Sequence, residues 1–190
     1  NALSAVLRLG HEAFRKPSME ALASHIVNNT RLLSAYGRSS LLDARGLFPS
    51  VLAVSGQAVP KQDSEYCAAA RALASALAGK LKGPQLLKQG AVEGFGPAAA
   101  EALERLCEGR PKAEVIAVPL LPPQAPEETK GCLWLLEHFE GAAPQELSLM
   151  GLLGQHYAEA LFQSPFKGGG ALRRLWRLRE LNPLKAALAA

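Results

Sequence analysis

The sequence has no run of about 18 consecutive apolar residues, the length that an α-helix needs to span a bilayer. Its first 16 residues also lack a basic start followed by an apolar stretch, which is the pattern of a secretory signal peptide. The hydrophobic content of 48% and charged content of 20% are those of a globular domain with one sizeable core. Because the chain begins with Asn1 rather than Met, we expect it to be part of a longer protein.

Cysteine and histidine are scarce and scattered. Cys67, Cys107 and Cys132 lie far apart among apolar neighbours, which predicts reduced, buried thiols rather than disulfides. No C-x-x-C pair accompanies the four histidines, and no second histidine follows His11 at metal-ligand spacing. A G-x-S-x-G elbow, a nucleophile–base pair and a paired acidic site are also missing from the sequence. We therefore expect no metal site, no catalytic residues and no enzymatic activity.

A basic surface is missing from most of the chain. The net charge of +4 arises within residues 171–190, where Glu180 alone opposes five basic side chains. Those five are Arg173, Arg174, Arg177, Arg179 and Lys185. Residues 1–170 carry 16 basic and 16 acidic side chains, whereas nucleic acid binds a basic face of a folded domain. We therefore expect no nucleic-acid partner.

Hydrophobic periodicity predicts alternating helices and strands. Helices are predicted from about residue 3, from Ser18, from Asp63 or Ser64, from Pro97 and from Pro144. The predicted strands are 38–43, 50–57, a short one within 84–92, and two runs flanking a loop within 115–138. Short loops between paired strands predict a mostly antiparallel sheet in an α+β arrangement. The strand at 132–136 is apolar on both faces, as expected when helices cover both sides.

The end of this pattern resembles the GAF family. GAF domains commonly finish with a strand ending in Val-Pro-Leu, a loop, a Gly-led strand, a Phe, and a helix with Glu-Leu near its start. The corresponding residues are Val118-Pro119-Leu120, Gly131-Cys132-Leu133-Trp134-Leu135, Phe139 and Glu146-Leu147. Residues match over 113–162, and the order of elements matches over 18–112. The resemblance implies a GAF-like (profilin-like) domain over residues 1–166, with a mostly antiparallel sheet covered by helices on both faces.

The resemblance also implies a ligand pocket between one sheet face and the helices over it. By alternation, Cys132, Trp134 and His138 share one strand face, and Tyr66 lies early in the central helix. These four are the candidate ligand-binding residues, with core packing as the competing interpretation. The Asn-Lys…Phe…Asp-Glu pattern of cyclic-nucleotide-binding members is absent, and no residue can be matched to the tetrapyrrole-binding position. The sequence thus leaves the cofactor unknown and the ligand an unidentified small molecule.

Residues 167–190 are predicted to be a Gly-rich linker and a basic segment. GAF-like domains occur at the cytoplasmic N-terminus of some bacterial membrane-fusion (HlyD-type) secretion and efflux adaptors, where such a segment leads into a transmembrane helix. That resemblance implies a transmembrane helix beyond Ala190 and a domain on the cytoplasmic side of the bacterial inner membrane. An ordinary exposed helix is the competing interpretation. The predicted membrane-proximal residues are Arg173, Arg174, Trp176, Arg177 and Arg179.

Two functions remain open after the sequence. The first is a non-catalytic sensory or protein-docking domain that regulates or scaffolds a membrane-anchored secretion or efflux adaptor. The alternative is a ligand-binding module of a signalling protein or transcription regulator, whose last helix would continue as a coiled coil. GAF domains commonly dimerise through their terminal helices. The resemblance therefore implies a homodimer, with the apolar stripe of residues 3–15 as the contact.

Overall fold

The structure, a computed structural model, describes residues 1–126 and 128–163. The predicted domain boundary at residue 166 lies outside the described residues. So do the predicted membrane-proximal residues Arg173, Arg174, Trp176, Arg177 and Arg179.

The described residues form five α-helices and five strands in the predicted order. The helices are α1 (Ala2–Phe14), α2 (Met19–Asn29), α3 (Glu65–Leu77), α4 (Pro97–Leu106) and α5 (Glu146–Gln163). The strands are β1 (Arg38–Asp43), β2 (Ser50–Val54), β3 (Gln85–Lys88), β4 (Glu114–Leu120) and β5 (Cys132–His138). Two 3₁₀ turns, Thr30–Leu32 and Glu93–Phe95, follow α2 and precede α4.

Local signals explain where the helices begin. The Ser18 hydroxyl accepts a hydrogen bond from the Ala21 amide at 3.1 Å, and Ser64 caps α3 in the same way. Pro97 occupies the first turn of α4, where its missing N–H costs nothing. Helix α5 begins later than predicted, at Glu146 and not at Pro144, because a turn precedes it.

The five strands make one sheet in the order β2-β1-β5-β4-β3, and every neighbouring pair is antiparallel. Strand β5 is central, and all seven of its residues are buried. Helices α1, α2 and α5 cover one face of the sheet, and α3 and α4 cover the other. The predicted α+β class, with an antiparallel sheet covered on both faces, is confirmed.

Alternation along the strands assigns side chains to the two faces. Leu41, Val118 and Trp134 belong to the core under α1, α2 and α5, which we call the α5 face. Their neighbours in sequence, such as Leu42 and Leu135, belong to the core under α3 and α4, which we call the α3 face. Each strand therefore contributes to two separate cores.

Candidate functional site

The structure places the four predicted ligand-binding residues on opposite sides of the sheet. Cys132, Trp134 and His138 point from β5 to the α5 face, as alternation predicts. Tyr66 lies in the first turn of α3 and packs against the core of the α3 face. These four side chains therefore do not share one site.

Cys132 and Trp134 are packed within the core of the α5 face. The Trp134 indole donates from Nε1 to the Ser39 hydroxyl at 2.9 Å, and its ring meets Tyr157 edge-on at 5.3 Å between centroids. Burial, reinforced by the negative charge of Asp43, raises the pKa of the Cys132 thiol to about 12. The indole is satisfied and the thiol is inert, which is the behaviour of core residues.

His138 belongs to a buried polar network with Ser34 and Glu146. The His138 Nε2 atom lies 3.2 Å from Glu146 Oε2, and the Ser34 hydroxyl donates to the same carboxylate oxygen at 2.6 Å. Burial lowers the pKa of His138, while the carboxylates of Glu146 and Glu114 oppose that change. Because Ser34 donates to the carboxylate and lies 3.5 Å from Nε2, the imidazole is not arranged to take its proton. The network links β5, α5 and the segment after α2.

A second polar group lies on the α3 face, where β1 and β5 pair. Arg38 donates to Glu137 through Nε at 2.9 Å and Nη2 at 2.7 Å, a bidentate ion pair between residues in register. The Tyr66 ring stacks under the guanidinium, 3.6 Å from its central carbon to the ring centre. The Arg38 side chain is 24% exposed, whereas that of Glu137 is 2% exposed. We call Arg38, Ser40, Tyr66 and Glu137 the Arg38 cluster.

Burial shapes the charges of the Arg38 cluster. It disfavours the charged form of Arg38, but the hydrogen bonds and negative charge of Glu137 outweigh it, and the pKa of Arg38 rises. Burial, followed by the charge of Glu137, raises the pKa of Tyr66 well above its usual value, while the Ser40 hydroxyl opposes that rise. The cluster thus presents a permanent cation and a neutral phenol.

Two hydroxyl groups of the Arg38 cluster are buried without a partner. Among the described residues, neither Ser40 Oγ nor Tyr66 OH makes a hydrogen bond of standard geometry, although Ser40 and Glu137 lie close enough to the phenol to influence its pKa. The Nη1 atom of Arg38 is likewise unbonded within this part of the chain. An unsatisfied buried hydroxyl costs about 1–3 kcal/mol, so such groups need an explanation such as an ordered water or a ligand. This cluster can therefore accept and donate hydrogen bonds to a small polar molecule that reaches it.

Sequence reasoning found Tyr66 but missed Arg38, Ser40 and Glu137. One signal was present, because Glu137 is the single acidic residue in the strand CLWLLEH. Its partner could not be identified, since β1 and β5 are far apart in sequence and only the sheet order makes them neighbours.

A groove of about 400 Å³ lies between α5 and the loop after β4. Pro84, Val118, Pro119 and Leu121 line one side, and the small residues of α5 line the other. Those small residues are Gly151, Gly154 and Ala158. Neither the Arg38 cluster nor any predicted ligand-binding residue lines this groove.

The described residues contain neither a metal-ligand cluster nor a membrane-spanning helix. No three His, Cys, Asp or Glu side chains in residues 1–126 and 128–163 gather as a metal ion would require. Within the same ranges, no helix is both long enough and apolar enough to cross a membrane.

Comparison with known proteins identifies the fold. No protein-family model matches the sequence, and no curated protein matches it. Solved structures do. A phycocyanobilin-bound GAF domain from a cyanobacterial phytochrome superposes with a TM-score of 0.60 at 16% identity, covering 88% of this chain and 97% of that one. The GAF domain of a phosphoenolpyruvate-protein phosphotransferase from Coxiella burnetii gives 0.57 at 15% identity, covering 89% and 97%.

A longer phytochrome fragment also matches. The chromophore-binding domain of a Stigmatella aurantiaca bacteriophytochrome gives a TM-score of 0.55 at 14% identity over 84% of this chain, which spans 59% of that domain. Identities this low are evidence of fold alone, and none of these matches concerns a membrane-fusion adaptor. The chain has a GAF-like fold, as its terminal strand, loop and helix pattern implied.

Proposed function

We propose that this GAF-like domain is a non-catalytic sensory module whose small polar ligand binds at the Arg38 cluster. The observation that carries the proposal is the pair of buried, unpartnered hydroxyls of Ser40 and Tyr66 beside a partly exposed arginine. The ligand class follows from the groups present. Nη1 of Arg38 favours a carboxylate or phosphate, and the two hydroxyls favour further oxygen or nitrogen atoms.

The cluster can also transmit the binding event. Arg38 belongs to β1, Glu137 to β5 and Tyr66 to α3, and Nη2 of Arg38 reaches the Leu106 carbonyl at the end of α4 at 3.5 Å. A ligand that binds one arrangement of these elements more tightly would favour that arrangement. Strand β5 leads through a short loop into α5, so a shift at the cluster has a direct covalent route to the chain that follows.

The test is a thermal-shift screen of small carboxylates, phosphates and nucleotides on the full chain. A compound that raises the melting temperature of the unmodified protein should raise it less in Tyr66→Phe and Ser40→Ala. The matched control is Ser39→Ala, since Ser39 is also fully buried on β1 but lies on the opposite face. Equal stabilisation of Ser40→Ala and the unmodified protein by every binding compound would place the ligand elsewhere.

A second candidate function is favoured by the charge distribution. The domain is anchored at the cytoplasmic side of a bacterial inner membrane, as the sensory or docking domain of a secretion or efflux adaptor. All of the net positive charge lies in residues 171–190, beyond the last turn of α5, as positive-inside anchoring requires. Reading about 40 residues of the gene beyond Ala190 tests this, because an apolar run of about 20 residues is expected. Heptads there would favour the signalling alternative instead.

The proposed assembly is a homodimer through α1. Leu3 and Leu7, one helical turn apart, are both more than half exposed, and Phe14 is exposed on the same stripe. The packed side of α1 carries Val6, Leu9 and Ala13, and Gly10, at the border of the exposed stripe, lies against the His156 side chain of α5. In a twofold interface, each copy contributes the same α1 stripe, so the buried apolar area is twice that of one stripe.

A further inference from the structure

The turn between β1 and β2 exposes two large apolar side chains. Leu47 and Phe48 are each 78% exposed. The residues on either side of them are held in place, because Ala44 and Pro49 are buried. Arg45 binds the Asp43 carboxylate through Nε and Nη2, each at 3.0 Å. Leu47 and Phe48 therefore project from an anchored turn, which we call the hairpin tip.

The hairpin tip lies beside the end of α5. The Arg45 guanidinium sits 5.7 Å from the centre of the Phe162 ring, in the last turn of that helix. The chain that continues from there carries five basic residues and one acidic residue within 171–190. The exposed side chains of Leu47 and Phe48 thus lie at the same edge of the sheet as the end of α5, the helix that precedes the basic residues 171–190 in the sequence.

The size of the tip favours a lipid surface over a protein partner. An aromatic side chain buries about 150–250 Å² when fully covered and a leucine is smaller, so Leu47 and Phe48 together supply only a few hundred Å². A stable protein interface needs about 800 Å² on each partner. Lipid headgroups close around a narrow projection, and anionic lipids add attraction for nearby basic residues.

We infer that Leu47 and Phe48 insert into the interfacial region of an anionic lipid membrane to which the basic residues 171–190 are attracted. This inference rests on the second function proposed above and adds a contact from the folded domain. The sensory domain is then held at the bilayer at two places, by its tail and by the hairpin tip. Its orientation relative to the membrane is thereby defined.

The test uses the full chain and vesicles of mixed phosphatidylglycerol and phosphatidylcholine, with pure phosphatidylcholine vesicles as the lipid control. The double variant Leu47→Ser, Phe48→Ser should bind the anionic vesicles at least about tenfold more weakly than the unmodified protein. That factor is the effect of removing one large apolar side chain from the membrane contact. Val59→Ser is the matched control and should bind as the unmodified protein does. Val59 is 79% exposed in the loop that leaves the other end of β2.

Each other outcome overturns the inference in a distinguishable way. If the double variant binds like Val59→Ser while replacing the four tail arginines by Gln abolishes binding, the tail alone meets the membrane and the anchoring proposal stands. If the unmodified chain binds no vesicles, the inference fails, and the anchoring proposal is decided separately by the sequence beyond Ala190. If the double variant instead dissociates an oligomer in lipid-free buffer, the hairpin tip is a protein contact. Leu47, Phe48 and Val59 are all exposed, so circular dichroism of the double variant and of Val59→Ser should match that of the unmodified protein.

Discussion

Ser39 and Ser40 show how position on a strand decides what a residue does. Both are on β1 and both are fully buried, but they face opposite cores. Ser39 accepts a hydrogen bond from the Trp134 indole on the α5 face. Ser40 belongs to the Arg38 cluster on the α3 face, and its hydroxyl is unpartnered among the described residues. The same side chain is therefore structural at one position and available at the next.

This difference predicts opposite results for two alanine substitutions. Ser39→Ala leaves the buried Trp134 N–H without a partner and should lower the free energy of unfolding by about 1–3 kcal/mol. Ser40→Ala removes a hydroxyl that is already unsatisfied and should leave the free energy of unfolding unchanged or raised. Urea denaturation of the two variants measures both values. A loss in Ser40→Ala equal to that in Ser39→Ala would show that the Ser40 hydroxyl is bonded in solution.

Two buried histidines predict a dependence of stability on pH. His25 Nε2 donates to the Leu9 carbonyl at 3.0 Å, and its Nδ1 then accepts from Asn29. Burial lowers the pKa of His25, with Lys16 acting in the same direction and the Leu9 hydrogen bond and Glu12 opposing it. The pKa of His138 is lowered in the same way, chiefly by burial. Each histidine therefore takes up a proton more readily in the unfolded chain than in the folded one.

The unfolded state then binds more protons below the ordinary histidine pKa of about 6.5, so the free energy of unfolding should fall as the pH drops from about 7.5 to about 5.5. Each histidine contributes at most about 1.4 kcal/mol per pH unit. Urea denaturation across this range should give a shallower slope for His25→Gln than for the unmodified protein. An unchanged slope would show that His25 does not titrate differently in the two states. The carboxyl of Glu114, whose lowered pKa comes first from its bond to the Ala142 amide, titrates below this range.

At the scale of elements, the buried apolar side chains of α5 hold it against the sheet, and glycine allows it to approach β4 closely. A Cβ on Gly154 would lie 2.7 Å from Val118 Cγ1 on β4, closer than side-chain carbons approach. The helix therefore sits directly on the strand, and the depression left by its glycines forms part of the groove beside it. Gly131 allows a similar approach between loop and strand, because a Cβ there would overlap the Leu120 carbonyl oxygen.

The α5 contact predicts different effects for two glycine substitutions. Alanine is favoured over glycine in a helix by about 1 kcal/mol, which applies to both Gly151→Ala and Gly154→Ala. At Gly154 the added methyl must displace Val118 in the core, and overpacking costs about 1–3 kcal/mol. At Gly151 the nearest atom is Pro84 Cγ at 3.1 Å, on a loop that can shift slightly. Thermal denaturation should show Gly154→Ala less stable than Gly151→Ala, and equal stabilities would contradict the close packing of α5 on β4.

At the scale of the whole molecule, the first and last helices of the described chain, α1 and α5, cover the same face of the sheet. Helices α1 and α5 lie together over the α5 face, so a partner bound at α1 is close to the element that continues toward the basic segment. The ligand proposed for the Arg38 cluster would act from the opposite face. The sheet lies between the two, and β5 contributes side chains to both.

The proposed homodimer predicts a change in molecular mass. Leu3→Glu combined with Leu7→Glu places charges in the interface and should convert a dimer into a monomer, as measured by light scattering after size exclusion. The matched control is Leu32→Glu, since Leu32 is at least as exposed as Leu3 and Leu7 but lies on the 3₁₀ turn after α2. A monomeric unmodified chain, or a dimer that survives the double substitution, would rule out the α1 interface.

Much of the fold was accessible from the sequence because its signals are local. Strand β1 was predicted with its observed bounds, and Ser18, Ser64 and Pro97 mark helix starts through bonds or geometry within a single turn. The alternation that gives β5 two apolar faces is also local. Helix α5 was placed too early, because Pro144 begins a turn and not the helix itself.

The sequence by itself determined the order of elements, the α+β class and the confinement of net charge to residues 171–190, since each depends on neighbours within a few positions or on composition. Only the tertiary structure decided which strands pair and which residues meet. Arg38 and Glu137 are adjacent because β1 and β5 are neighbours in the sheet, and Tyr66 joins them because α3 packs on that face. Tyr66 and Trp134 are separated because the sheet lies between them. Such contacts depend on how distant segments pack, which no local pattern encodes.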